Sequence, residues 1–298
     1  MKRRTFIAGV IATTALMGSS FAIGKIGLTD LSPLWLVGVR FVLAGILMVS
    51  VIILAKRPHP HKIADWLRLM AVGVFQTAGV MGCIFLSLGT ISAGESSILT
   101  FVNPLLVVIF ATVFLKARYR RMQWLGVVIG FLGVAMSLGF DLRIQTGMGI
   151  ALAGAASWAV ATLLIHRWRD HFDLWVLTAY QMLFGGVLLL GVGALWERPH
   201  FILNATVIFV IVWLAIMGSI VQFVIWFWLL QHGDPGKISA FLFLAPLFGV
   251  LFGWLLLREP ITLQMVWGGL CIFAGIFLVN WGTVKRKTVS EVRRTESF

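Results

Sequence analysis

Ten stretches of this chain are each long and apolar enough to cross a bilayer, and no other feature limits the fold so tightly. They lie near residues 5–24, 34–54, 67–88, 96–115, 122–140, 147–166, 174–195, 205–229, 237–256 and 263–282. About 20 apolar residues in a helix span the hydrocarbon layer. Lipid offers no partner to an unpaired backbone N–H or C=O, so each stretch is predicted to be helical. The gaps between them are short, which leaves little chain for an extramembrane domain. The chain is 60% hydrophobic and 12% charged, against roughly 25% charged in a soluble domain. Lipid is therefore the natural solvent.

The net charge of +13 does not point to nucleic acid. The basic residues form short clusters between apolar runs, as in cytoplasmic membrane loops, and no soluble basic face exists. With a cytoplasmic N-terminus the inside receives Lys2, Arg3, Arg4, Lys56, Arg57, Lys62, Arg68, Lys116, Arg118, Arg120, Arg121, Arg167, Arg169 and Lys237. It also receives the basic tail from Lys285 to Arg294. The outside receives only Lys25, Arg143, Arg198 and Arg258, a ratio of about five to one. Both termini are then expected in the cytoplasm, in the inner (plasma) membrane. The start, Lys2-Arg3-Arg4-Thr5-Phe6-Ile7, has the look of an export signal. Cleavage there would leave nine spans, so it is read as an uncleaved first helix.

The second half repeats the first. Gly94 to Gly133 aligns without a gap on Gly236 to Gly275, and Phe101, Pro104, Leu105, Gly126 and Gly133 recur in kind 142 positions later. Each copy holds five spans. An odd number makes the second copy enter from the opposite face, so the halves are expected to be inverted about an axis in the membrane plane. The expected fold is an all-α membrane protein of ten helices in two inverted five-helix repeats, 1–141 and 142–284, with a basic tail over 285–298. Pro104 and Pro246 become mates near mid-membrane. A proline removes a backbone donor, so the pair either shapes packing or supplies a hinge or cavity wall. Small residues such as Gly126 and Gly130, and Gly268, Gly269 and Gly275, let helices approach closely. They serve packing within the chain or, alternatively, a homodimer surface on spans five and ten.

Polar groups inside the spans are costly and become candidates for function. Arg40 in span two either pairs with carbonyls and fixes packing or attracts a substrate carboxylate by a two-pronged contact. Glu95 at the start of span four either complements the helix dipole or couples a proton. The amides Gln76, Asn103, Gln181 and Gln222 either bond across helices or orient a zwitterion. Tyr180 stands at the position repeat-related to Arg40. Most tryptophans fall at span ends as interface anchors, whereas Trp158 and Trp226 reach deeper and are candidates for a pocket wall. His59 and His61 in the first cytoplasmic loop read as solvated rather than as metal ligands, and neither a metal nor a cofactor is expected. There is no phosphate-binding Walker motif.

Several of these residues carry a resemblance. The first copy carries it in Gly18-Ser19-Ser20-Phe21 with Lys25, Pro33, Arg40-Phe41, Glu95-Ser96-Ser97 and Asn103-Pro104-Leu105, and the second in Ser157-Trp158, Ala245-Pro246-Leu247 and Arg258-Glu259-Pro260. In this layout the chain resembles the drug/metabolite transporter superfamily, and within it the EamA family. The resemblance implies a central cavity and transport of small metabolites, often export of amino acids. Met17 stands where many members have tryptophan. The function expected is secondary transport by alternating access, exporting amino acids or related compounds. A membrane-embedded enzyme acting on lipid-like substrates is the alternative. It would need clustered acids or histidines at a membrane face, and the 11 acidic residues are scattered. No catalytic residue is assigned.

Overall fold

The computed structural model describes residues 3–137, 145–168, 171–198, 200–232 and 244–295. The described residues form helices with a single isolated β-bridge, Leu31 to Phe201. In chain order they are α1 (Arg3–Gly27), α2 (Pro33–Leu54), α3 (Ile63–Val72), α4 (Val80–Leu88), α5 (Ala93–Thr100), α6 (Asn103–Leu115), α7 (Arg121–Ser137), α8 (Thr146–Trp168), α9 (Leu174–Trp196), α10 (Ala205–Ala215), α11 (Gln222–His232), α12 (Leu244–Leu257) and α13 (Leu263–Thr295). Seven helical stretches are long and apolar enough to span: 4–27, 33–54, 63–88, 93–115, 146–168, 174–196 and 205–226. Arg121–Met136, Leu244–Leu257 and Leu263–Val279 are shorter apolar helices. The expected opening of span nine, with Lys237, lies outside the described residues, as do Arg143 and Arg169. The last helix runs on through the basic segment that was expected to be a separate tail.

Local chemistry sets the breaks. Pro104 has no N–H to give to Thr100, so span four is cut into α5 and α6 with a turn at Phe101 and Val102. Spans three and eight stay unbroken but contain π-helical segments, Gly73–Gly79 between α3 and α4 and Ile216–Val221 between α10 and α11. A π-helical turn carries one extra residue and loosens the normal carbonyl pairing. α6 and α12 end alike, on a left-handed basic residue, Lys116 (φ 52°) and Arg258 (φ 55°). In both, the next N–H reaches back six residues, Ala117 to Ala111 at 3.0 Å and Glu259 to Gly253 at 3.2 Å.

The helices pair closely where glycines meet. A methyl group at Gly126 would stand 2.5 Å from the carbonyl oxygen of Gly275, and one at Gly133 2.6 Å from that of Gly268. The glycines of spans five and ten therefore join α7 to α13 within one chain. α2 crosses α9 in the same manner: Gly45 abuts the backbone of Leu183, and Gly186 abuts Val42. α1 lies against α12, and α8 against α4, α5 and α6. The outward faces stay apolar and exposed, for example Val128, Leu132, Leu188, Phe209 and Leu255, as lipid contact requires.

Candidate functional site

At the centre of the bundle Arg40 is 2% exposed. Its place in α2 follows from the helix starting at Pro33, which puts Arg40 two turns inside, facing α10 and α11. The guanidinium donates through Nη2 to the Gly218 carbonyl at 2.8 Å and through Nε to Ser219 Oγ at 3.1 Å. The rings of Phe41 and Phe85 lie 4.7 and 5.9 Å from its central carbon, within reach of cation–π attraction. Among the described residues no carboxylate comes within ion-pair distance of it. A guanidinium has five N–H donors, so two protein contacts leave capacity for a ligand.

That capacity faces a cavity of about 390 Å³. Six of the sequence-predicted residues line it: Arg40, Gln76, Trp158, Gln181, Gln222 and Trp226. Met17, Phe21, Phe41, Phe85 and Phe101 make the rest of the wall largely apolar, with Trp158 edge-on to Phe101 at 5.4 Å. The hydroxyls of Ser20, Thr162 and Thr178 are each bound to a carbonyl four residues back in their own helix. These hydroxyls have spent their protons and can only accept, so Arg40 and the three glutamines are the larger polar groups of the wall. Gln181 Oε1 is buried with no hydrogen-bond partner, a cost that a ligand donor would relieve.

Other predicted residues stand elsewhere. Tyr180 points away from the cavity, into a cluster with Trp66 (4.8 Å) and Phe184 (6.0 Å), and its hydroxyl meets His59 Nδ1 at 3.1 Å. His59 is thereby tethered rather than simply solvated. The contact of Gly45 with Leu183 maps onto that of Gly186 with Val42 at an offset of 141 residues, and this offset pairs Arg40 with Gln181. Asn103 is buried at the start of α6, outside the cavity wall. Pro104 and Pro246 are not in the wall either; the Pro246 carbonyl takes a 3.5 Å contact from Ser97 Oγ. Glu95 lies in a capping box, its carboxylate accepting from Ser92 N (2.9 Å) and Oγ (2.8 Å).

Among the described residues the cavity wall extends from the middle of the bundle toward one end. Its outermost wall residues are Ile165 near the end of α8 and Leu174 at the start of α9, the latter 40% exposed. This is the end that carries Arg57, Lys62 and Arg167. The opposite end carries a set of contacts between elements. Lys25 pairs with Glu259 at 2.9 Å and also donates to the Ile91 carbonyl at 2.7 Å. Glu259 caps α5 by accepting from Ala93 N at 2.9 Å. Asn204 donates to Asp30 at 2.8 Å, His200 N to Ser32 Oγ at 2.9 Å, and Leu34 N to Glu197 at 3.0 Å. Burial pushes the Glu197 carboxyl above its ordinary range, partly offset by the N–H groups of Leu34 and Trp35. Lys25 and Glu259 were visible only as motif residues; a pairing across 234 positions leaves no local signal in a sequence. Ser219 and Gly218 were missed altogether, because a small residue in an apolar run reads as packing.

The sequence profile described as the EamA-like transporter family matches residues 5–139 and again 145–281. An uncharacterized transporter of Bacillus subtilis, YoaV, is 24% identical over 94% of this chain and 98% of its own length. A second from the same organism, YvbV, is 26% identical over 96% and 95%. The uncharacterized inner membrane transporter YedA of Escherichia coli strain K12 is 24% identical over 92% and 90%. A crystal structure superposes with a TM-score of 0.66 at 19% identity, covering 94% of this chain and 98% of that one, which shows a shared fold. The match covers both halves of a multi-pass helical membrane chain, and the chain belongs to the EamA-like transporter family.

Proposed function

We propose that this protein is a secondary transporter that exports amino acids or related carboxylate-bearing metabolites by alternating access. The observation that carries this reading is Arg40: a buried cation, without a carboxylate partner among the described residues, facing a largely apolar cavity. A charge so placed is stabilised most by a ligand anion, and guanidinium suits a carboxylate by geometry. The aromatic and aliphatic wall takes the body of the ligand, and Gln76, Gln181 and Gln222 take its remaining polar atoms.

The chain is read as two inverted repeats of five spans in the inner membrane. The matched π-helical segments, the matched left-handed helix ends at Lys116 and Arg258, and the reciprocal glycine contacts of α7 with α13 all support a pseudo-two-fold axis in the membrane plane. With the basic end in the cytoplasm, the cavity is inward-open, and the Lys25–Glu259 end is the closed outer gate. Alternating access then consists of releasing that end while the Ile165–Leu174 end closes.

Purified protein in proteoliposomes, offered a panel of labelled amino acids and small carboxylates under imposed pH and sodium gradients, tests the reading. Flux is expected for a carboxylate with an apolar side chain. No stimulated flux across the panel would overturn it.

A further inference from the structure

We propose that Ser219, with the Gly218 carbonyl, is the positioning element that aims Arg40 into the cavity, and that the π-helical segment Ile216–Val221 exists to supply it. The proposal rests on the reading of Arg40 as the carboxylate-binding group and adds how that group is held.

In an α-helix the carbonyl at position 218 would be engaged by the N–H four residues on, and a serine hydroxyl would bond three or four residues back. Here both habits are broken. The segment is wound in the π register, and Ser219 Oγ donates to the Leu214 carbonyl five residues back, at 3.0 Å. That donation consumes its only proton, so its lone pairs face Arg40 Nε, 3.1 Å away. The Gly218 carbonyl, loosened by the wide turn, accepts from Nη2 at 2.8 Å. Two acceptors on one turn fix both the position and the plane of the guanidinium. Its other N–H groups are left toward the cavity.

Burial agrees with this role. Ser219 is 0% exposed, so its hydroxyl is not itself a ligand-binding group. A Cβ at Gly218 would stand 2.7 Å from Ser20 Oγ and 3.3 Å from Arg40 Nη2, so a side chain there would press on the guanidinium and displace the Ser20 hydroxyl. The same device is half-present in the other copy. The π-helical segment Gly73–Gly79 carries the buried Thr77, whose Cβ and methyl group pack against α9 at Gly185, where no arginine stands. The first copy's arginine is thus held by the second copy's π-helical turn.

The test measures binding to the purified protein, using leucine, methionine and phenylalanine as probes and their primary amides as controls. Wild-type protein is expected to prefer the acids to the amides. Ser219→Ala should weaken acid binding about tenfold, leave amide binding within about twofold, and raise the transport KM far more than it lowers the maximal rate. Ser219→Thr, which keeps the hydroxyl, should restore the preference. If Ser219→Ala proves unstable, Ser219→Cys, which keeps the shape with a weaker acceptor, carries the same readout. An unchanged acid-to-amide ratio in a folded Ser219→Ala protein, with Arg40→Gln losing it, would overturn the positioning role while leaving the Arg40 reading intact. An unchanged ratio in Arg40→Gln, or no preference for acids in the wild type, would overturn both.

Discussion

Lys25 Nζ and Glu259 Oε1 meet at 2.9 Å, where one carboxylate both neutralises a cation on α1 and caps α5. Three segments from the two halves of the chain are tied by this single group. Glu259→Gln keeps an acceptor for the cap but removes the charge. In a background lacking Cys83 and Cys271, a cysteine at Ser20 should then react several-fold faster with a membrane-impermeant thiol reagent applied from outside. Lys25→Met should do the same, and the double variant should add little to either. Equal labelling of all variants would mean that the pair does not hold the gate.

Replacing Arg40 with lysine keeps the charge but loses the fork of donors. Transport of carboxylate substrates should fall at least tenfold, about 1.4 kcal/mol, with expression and melting temperature close to wild type. Flux assays at matched protein abundance read the outcome.

Tyr180→Phe is a contrasting case. Its hydroxyl holds His59 at 3.1 Å and does not face the cavity. Substrate affinity should stay within about twofold, whereas limited proteolysis between Ala55 and Lys62 should quicken. A large loss of affinity would return Tyr180 to the binding site.

Gly275→Ala inserts a methyl 2.5 Å from the Gly126 carbonyl. Overpacking of this kind costs roughly 1–3 kcal/mol, and the melting temperature in detergent should drop by several degrees. A substitution at Gly149, which has open space around it, should not lower it.

Glu197 gives a pH dependence. Burial raises its pKa, so the folded state holds its proton more tightly than the unfolded chain. The stability it adds is present below the ordinary carboxylate range and is lost as pH rises through the folded value. Glu197→Gln should flatten that fall in a series of melting curves against pH.

Seven of the ten expected spans are helices long enough to cross, legible because lipid enforces long apolar helices, and the repeat could be read by identity of residues at a fixed spacing. Six cavity residues were found by asking which polar or aromatic groups sit inside apolar runs. Tyr180 and Asn103 met the same criterion and fell elsewhere, because a helix has several inward faces and the sequence does not say which neighbour each one meets. Tyr180 and Gln181 differ by one position, a turn of about 100°, and only the packing of α2 on α9 separates them. The π-helical segments left no trace at all: a one-residue surplus in a helix is decided by tertiary contacts.

The tied end has an electrical consequence. An aqueous cavity that reaches Arg40 from one side brings the potential of that solution into the middle of the protein. The membrane voltage is then concentrated across the remaining closed layer, between Arg40 and Lys25. A unit charge crossing that layer exchanges about 2.3 kcal/mol with the field for every 100 mV. In such a carrier, voltage acts on the step that unties Lys25 from Glu259 far more than on the arrival of the substrate.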